Sequence, residues 1–115
     1  MARPIVFFDI AGPADTGLRE FYASLFEWTA DAGGRIAVPA AATLSGAFRA
    51  DPAEKRLYIG VDDVTATLNA IVAAGGKVHV PRFEVPGVVV LGLFADPAGN
   101  PMGLVEMDGD APKIP

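Results

Sequence analysis

One pattern occurs twice in this chain, and that repeat limits the fold more than any single residue does. Residues 5–10, IVFFDI, alternate as a strand does: Ile5, Phe7 and Asp9 share one face, Val6, Phe8 and Ile10 the other. The turn AGPADTG carries Asp15 and Thr16 as helix N-cap candidates. Leu18, Phe21, Tyr22, Leu25 and Phe26 then fall at helical spacing as one apolar stripe, with Trp28 just beyond. RIAV and TLSGAF, separated by PAAA, read as two short strands, and ADPAEK as a polar loop. With LYIGV the pattern starts again: Leu57, Ile59 and Val61 face one way, Arg56, Tyr58 and Gly60 the other. Asp62 or Asp63 caps a second helix striped by Val64, Leu68, Ile71 and Val72, which stops at Gly75-Gly76. KVHVP, VVVLGLFAD and MGLVEM complete the second round as strands.

The period is roughly fifty residues, carried by pattern more than by identity. Either half alone leaves one sheet face uncovered, so the halves are expected to pair, with helices outside and a cleft enclosed. That gives one α+β domain over residues 1–115, with module one at about 3–50 and module two at about 55–108. A chain of 115 residues is large enough to bury such a core, and 13 Gly and 10 Pro supply its many turns.

Composition removes several function classes. There is no cysteine, which excludes disulfides, thiolate metal sites and Cys nucleophiles. A formal charge of -5, with the basic residues scattered apart from Lys55-Arg56, argues against nucleic acid as a partner. No apolar run approaches the roughly 18 residues that a membrane helix needs. MARPIVFFDI makes a poor signal peptide, so a cytoplasmic location is expected.

Three segments resemble the vicinal oxygen chelate superfamily, the glyoxalase, bleomycin-resistance and extradiol-dioxygenase group. LREFYASLFEW is similar to its first helix, YIGVDDVTATLNAIVAAGGKV to its second-half strand and Asp-capped helix, and FADPAGNPMGLVE to its closing segment. The resemblance covers nearly the whole chain. It implies two βαβββ modules forming a curved mixed sheet around a cleft, and a homodimer. Metal-dependent members supply His, Glu or Gln from four strands to a divalent ion. Carried onto this chain, three of those positions fall on Phe7, Arg56 and Gly103. The fourth, near residues 44–49, is not placed, although that segment contains no His, Glu or Gln.

A phenyl ring, a guanidinium and a hydrogen cannot coordinate Zn, Ni, Fe or Mn. Strand alternation sets Gly103 and Val105 on one face and Met102, Leu104 and Glu106 on the other, so Glu106 points away from the ligand position or sits at the strand end. The expectation is a site without metal or other cofactor.

The remaining candidates each have a plain reading beside the sharp one. Asp9 either pairs with Arg56 or a polar ligand group, or is solvated near a strand end. Arg56 and Tyr58 could hold an anionic or aromatic ligand; Arg56 could equally snorkel to the rim or pair across a dimer interface. Phe7, Phe48, Phe94 and Trp28 line an apolar pocket or pack the core. His79, the lone histidine, reads as a strand-surface or cleft-lining residue, and Asp62-Asp63 as a cap. No catalytic residue can be named. The leading expectation is a small-molecule-binding, sequestering or resistance-like protein with cleft residues Phe7, Asp9, Phe48, Arg56, Tyr58, Phe94 and Gly103. The alternatives are a glyoxalase- or dioxygenase-like enzyme with an atypical metal site, and a structural or regulatory dimer whose cleft is closed by side chains.

Overall fold

The computed structural model describes residues 3–15, 17–26, 28–37 and 44–115, with the side chains of these except at 21, 22, 25, 26 and 37. Thr16 as a cap, the stripe of the first helix beyond Leu18, and the PAAA link with Thr43 lie outside the described residues. The chain is α+β, with mixed parallel and antiparallel strand pairing and two helices among the described residues. No described helix is long and apolar enough to cross a membrane. Contacts divide the chain into two compact units, Phe7–Arg56, and Leu57–Pro115 together with Met1–Val6.

In the first unit, β1 (Ile5–Gly12) leads through α1 (Leu18–Phe26) to β2 (Thr29–Ala30), β3 (Arg35–Ala37) and β4 (Ser45–Ala50). The strand order is β2-β3-β4-β1. β1 and β4 run parallel, in register from Phe7↔Ser45 to Gly12↔Ala50, and the other two pairs are antiparallel. A parallel pair requires a crossover connection, which α1 provides. Phe8 meets Trp28 edge to face at 6.4 Å.

In the second unit, β5 (Glu54–Val61) leads through α2 (Val64–Ala73) to β6 (Lys77–Val85), β7 (Val89–Ala95) and β8 (Pro101–Asp108), with a short β9 (Ala111–Pro112) paired to β8. Its order, β5-β8-β7-β6, is that of the first unit with β5 in the place of β1. Asp63 is the α2 cap: its side chain accepts from the Ala66 N–H at 2.9 Å, while Asp62 pairs with Arg3 at 3.1 Å. Past the C-terminus, Gly75 takes φ 99°, a left-handed turn that a Cβ would strain.

Val61, Val64, Leu68, Phe94 and Leu104 form a buried core between α2 and the sheet, with Ile59, Ile71 and Met102 packed on it. Val72, expected in the α2 stripe, is 55% exposed. At 100° per residue it lies some 40° beyond Leu68, over the edge of the buried face. β6 also runs past the expected KVHVP, through Pro81 to Val85. In this unit β6 is the last strand in the order, where the missing proline N–H costs no ladder hydrogen bond. His79 is exposed, where the β6–β7 register shifts.

Candidate functional site

The two ends of a short polar segment, RADPAEKR, build the first unit's charged centre. Arg49 is the last residue but one of β4 and Glu54 opens β5, so the loop folds their side chains together. Arg49 Nε donates to Asp9 Oδ2 at 2.8 Å, Nη1 to Asp51 at 2.8 Å, and Nη2 to Glu54 Oε2 at 2.5 Å. Arg56 Nη2 reaches Glu54 Oε2 at 3.3 Å. Asp9 and Arg56 are buried, 3% and 7% exposed, and Arg49 bridges them through Glu54. The Arg49 hydrogen bond, with help from Arg56, holds the Glu54 carboxyl below its usual range against the cost of burial. Within the same unit, the Arg35 guanidinium lies 5.4 Å over the Phe7 ring.

The sequence offers Asp9 either Arg56 or a polar ligand group, or solvent; in the structure Arg49 holds Asp9, and Arg56 reaches Glu54. Arg49 and Glu54 were both missed, because each sits where a strand was read as passing into a polar loop. Only the register exposes Arg49: it lies two residues beyond Ala47, the partner of Asp9, and therefore on the same strand face.

Parity corrects two of the expected cleft residues. Phe48 follows Ala47 and therefore takes the opposite face; it is buried and lines a pocket with Leu18 and Arg19 of α1. Phe94 belongs to the α2-side core with Val64, Leu68 and Leu104. Phe94 is a core packing residue, and Phe48 faces the α1 side, where it lines that pocket.

In the second unit, Tyr58 is 5% exposed and pairs in register with Gly103. A Cβ at position 103 would lie 2.4 Å from Tyr58 Cδ2 and 2.5 Å from Cε2, so the ring occupies the space directly over the glycine. The repeat also places the position that the sequence left open. Tyr58 is the fifth residue of β5 and pairs with Gly103; Asp9 is the fifth residue of β1 and pairs with Ala47. Ala47 is thus the first-unit counterpart of Gly103.

Glu106 is the one buried carboxylate of the closing strand, and it is fully engaged on the helix side. Arg82 holds it with Nε at 3.0 Å and Nη2 at 2.9 Å, the Val64 N–H at the start of α2 donates at 3.1 Å, and Lys113 approaches to 3.5 Å. These contacts, Arg82 first, lower its carboxyl to about 2. It serves as a latch between β8, β6 and α2 and is not available as a metal donor.

At the positions that the family resemblance implies, the side chains of Phe7 and Arg56 and the hydrogen of Gly103 are not groups that coordinate a divalent ion. Among the described residues no group of three or more His, Asp or Glu side chains could hold a metal.

A family model described as a glyoxalase-like domain matches residues 5–105. The chain is 32% identical over 111 residues to proteins named "Putative glyoxylase CFP32" in Mycobacterium bovis and Mycobacterium tuberculosis, covering 84% of this chain and 42% of theirs. It is 28% identical over 118 residues to the anthracycline biosynthesis protein DnrV of Streptomyces peucetius, covering 81% of this chain and 43% of that one. Among solved structures, methylmalonyl-CoA epimerase from Mycobacterium tuberculosis superposes with a TM-score of 0.61 at 15% identity, over 90% of this chain and 87% of that one. A methylmalonyl-CoA epimerase in complex with methylmalonyl-CoA and NH4+ gives 0.64 at 14% identity, over 98% of this chain and 100% of that one.

The chain therefore belongs to the glyoxalase-like domain family, within the vicinal oxygen chelate superfamily. It spans less than half the length of the curated relatives it matches.

Proposed function

We propose that this domain binds a small organic molecule without a divalent metal, in the manner of a sequestering or resistance protein. The observation that carries this reading is the Tyr58 ring seated on Gly103, where the family resemblance places a ligand carboxylate. A buried aromatic ring takes up the space that a side chain at position 103 would need. The one residue with a formal charge at the inferred positions is Arg56, anchored by Glu54. The reading is a ligand with a flat or apolar body and an anionic group, fixed by Arg56 and covered by Phe7 of the same unit. We also propose a two-fold dimer, on the family resemblance. One neighbour in fold holds methylmalonyl-CoA in its structure, which supports a fold able to take a small molecule and no particular ligand here.

The test is a thermal-shift screen of aromatic and aliphatic carboxylates, followed by titration of each hit against Arg56→Met. Glu54 keeps Arg49 in that variant, so folding is retained. A charge-assisted hydrogen bond is worth about 1.5–3 kcal/mol, so affinity should fall roughly ten- to a hundredfold. Unchanged affinity for an anionic hit would remove Arg56 from the site. A second reading, an enzyme, is favoured by the glyoxylase name of the 32%-identical relatives. Metal-dependent turnover of a 2-oxoaldehyde–thiol adduct by the purified chain would establish that reading and overturn the first.

A further inference from the structure

A pocket of about 280 Å³ opens in the first unit where the end of β1, the end of β4 and the start of α1 meet. Phe48, on the α1 side of the sheet, lines it, and so does Arg49 near the strand end, whose side chain holds Asp9. Its floor is apolar: Phe48 is 7% exposed, and Leu18 and Pro13 stand beside it. Three charged side chains complete the lining, and they are not equivalent. Arg49 is neutralised by Asp9, Asp51 and Glu54. Arg19 is oriented by a hydrogen bond from Nη1 to the Asp31 carbonyl at 3.0 Å. Among the described residues, neither Arg19 nor Glu20 has an ion-pair partner.

The pocket thus offers one cation and one anion that no described side chain neutralises, at the mouth of an apolar hollow. A dianion such as phosphate would meet Arg19 but be repelled by Glu20, and a simple amine would meet the reverse. The volume is at the small end of ligand pockets, about 300–1,000 Å³, which excludes a nucleotide or an acyl-CoA. We propose that this pocket binds a small zwitterion with an apolar body, of the chemical class of a free α-amino acid. Arg19 takes the carboxylate, Glu20 the ammonium group, and Phe48 with Leu18 the side chain.

The experiment is an amide chemical-shift titration of the intact chain with L-phenylalanine, beside hydrocinnamate (which lacks the ammonium group) and phenethylamine (which lacks the carboxylate). L-phenylalanine should shift the amides of Gly12, Leu18, Arg19 and Phe48, with a Kd on the order of millimolar. Each single-charge analogue should bind about three- to tenfold more weakly, as should Arg19→Gln and Glu20→Gln titrated with L-phenylalanine. Arg19 and Glu20 are exposed, so both variants retain the fold, which the spectrum itself verifies. The absence of shifts at those amides would overturn the proposal. So would equal binding of the three probes, or unchanged affinity in both variants. Arg56→Met leaves this titration unaltered, so the two sites fail or succeed independently.

Discussion

Substituting Gly103 by Ala tests whether Tyr58 truly fills the space over that residue. The added methyl carbon would start 2.4 and 2.5 Å from two ring atoms, about 1 Å inside ordinary contact. Neither partner can step aside easily, because Tyr58 and Gly103 are register partners in a parallel ladder flanked by Leu57↔Met102 and Ile59↔Leu104. Overpacking of this kind costs about 1–3 kcal/mol. Alanine returns part of that, about 0.4–1 kcal/mol, by restricting the unfolded chain. A net loss of about 1–2 kcal/mol is expected, read as a lower urea midpoint at unchanged slope. In a Tyr58→Ala background the clash is gone, and Gly103→Ala should be neutral or stabilising by about 0.5 kcal/mol. The cycle should therefore show a coupling of about 1.5–2.5 kcal/mol between the two positions. A single-mutant change below about 0.5 kcal/mol, with coupling no larger, would mean that the ring does not sit on Gly103.

The remaining expectations concern contacts within the second unit and the assembly of the chain. Glu106→Gln should lower stability at neutral pH by on the order of 2–3 kcal/mol. The folded carboxyl, at about 2, lies below its ordinary 4.5, so its contribution is present above 4.5 and lost as pH falls toward 2. Urea midpoints of variant and native protein should converge across that window; a constant gap would refute the latch. Asp63→Ala should cost about 1 kcal/mol by removing the α2 cap, whereas Asp62→Ala, which removes only an exposed pair with Arg3, should stay within about 0.5 kcal/mol. Light scattering of the purified chain at micromolar concentration should give the mass of a dimer, and a monomer alone would contradict the proposed assembly.

What was legible in the sequence was what short-range chemistry decides. The alternation in IVFFDI and in Arg56–Val61, the Asp cap and the glycine stop of α2 each depend on a few neighbouring residues, and all appear in the structure. The parity of β8 likewise placed Gly103 against one face and Glu106 against the other before any pairing was known. What failed depended on register between distant strands. Phe48 and Phe94 look like cleft aromatics until their neighbours Ala47 and Met102 are paired, and the pairing turns both toward the helices. Arg49 reads as the end of a strand running into a loop; only the parallel β1–β4 ladder brings it to Asp9, 40 residues away. The expected KVHVP stops short of Val85, and the rank of β6 at the edge of its unit's strand order, where a proline is tolerated, is not visible locally.

The claim that separates this domain from a metal-dependent enzyme is the loss of ion-binding side chains at Phe7, Ala47, Arg56 and Gly103. Elemental analysis of tag-free protein, after incubation with Zn, Ni, Fe and Mn and removal of unbound ions by gel filtration, tests it most directly. The account predicts no stoichiometric metal and no change in unfolding midpoint on adding a chelator. One equivalent of a divalent metal per chain, removed by the chelator with loss of stability or ligand binding, would contradict it.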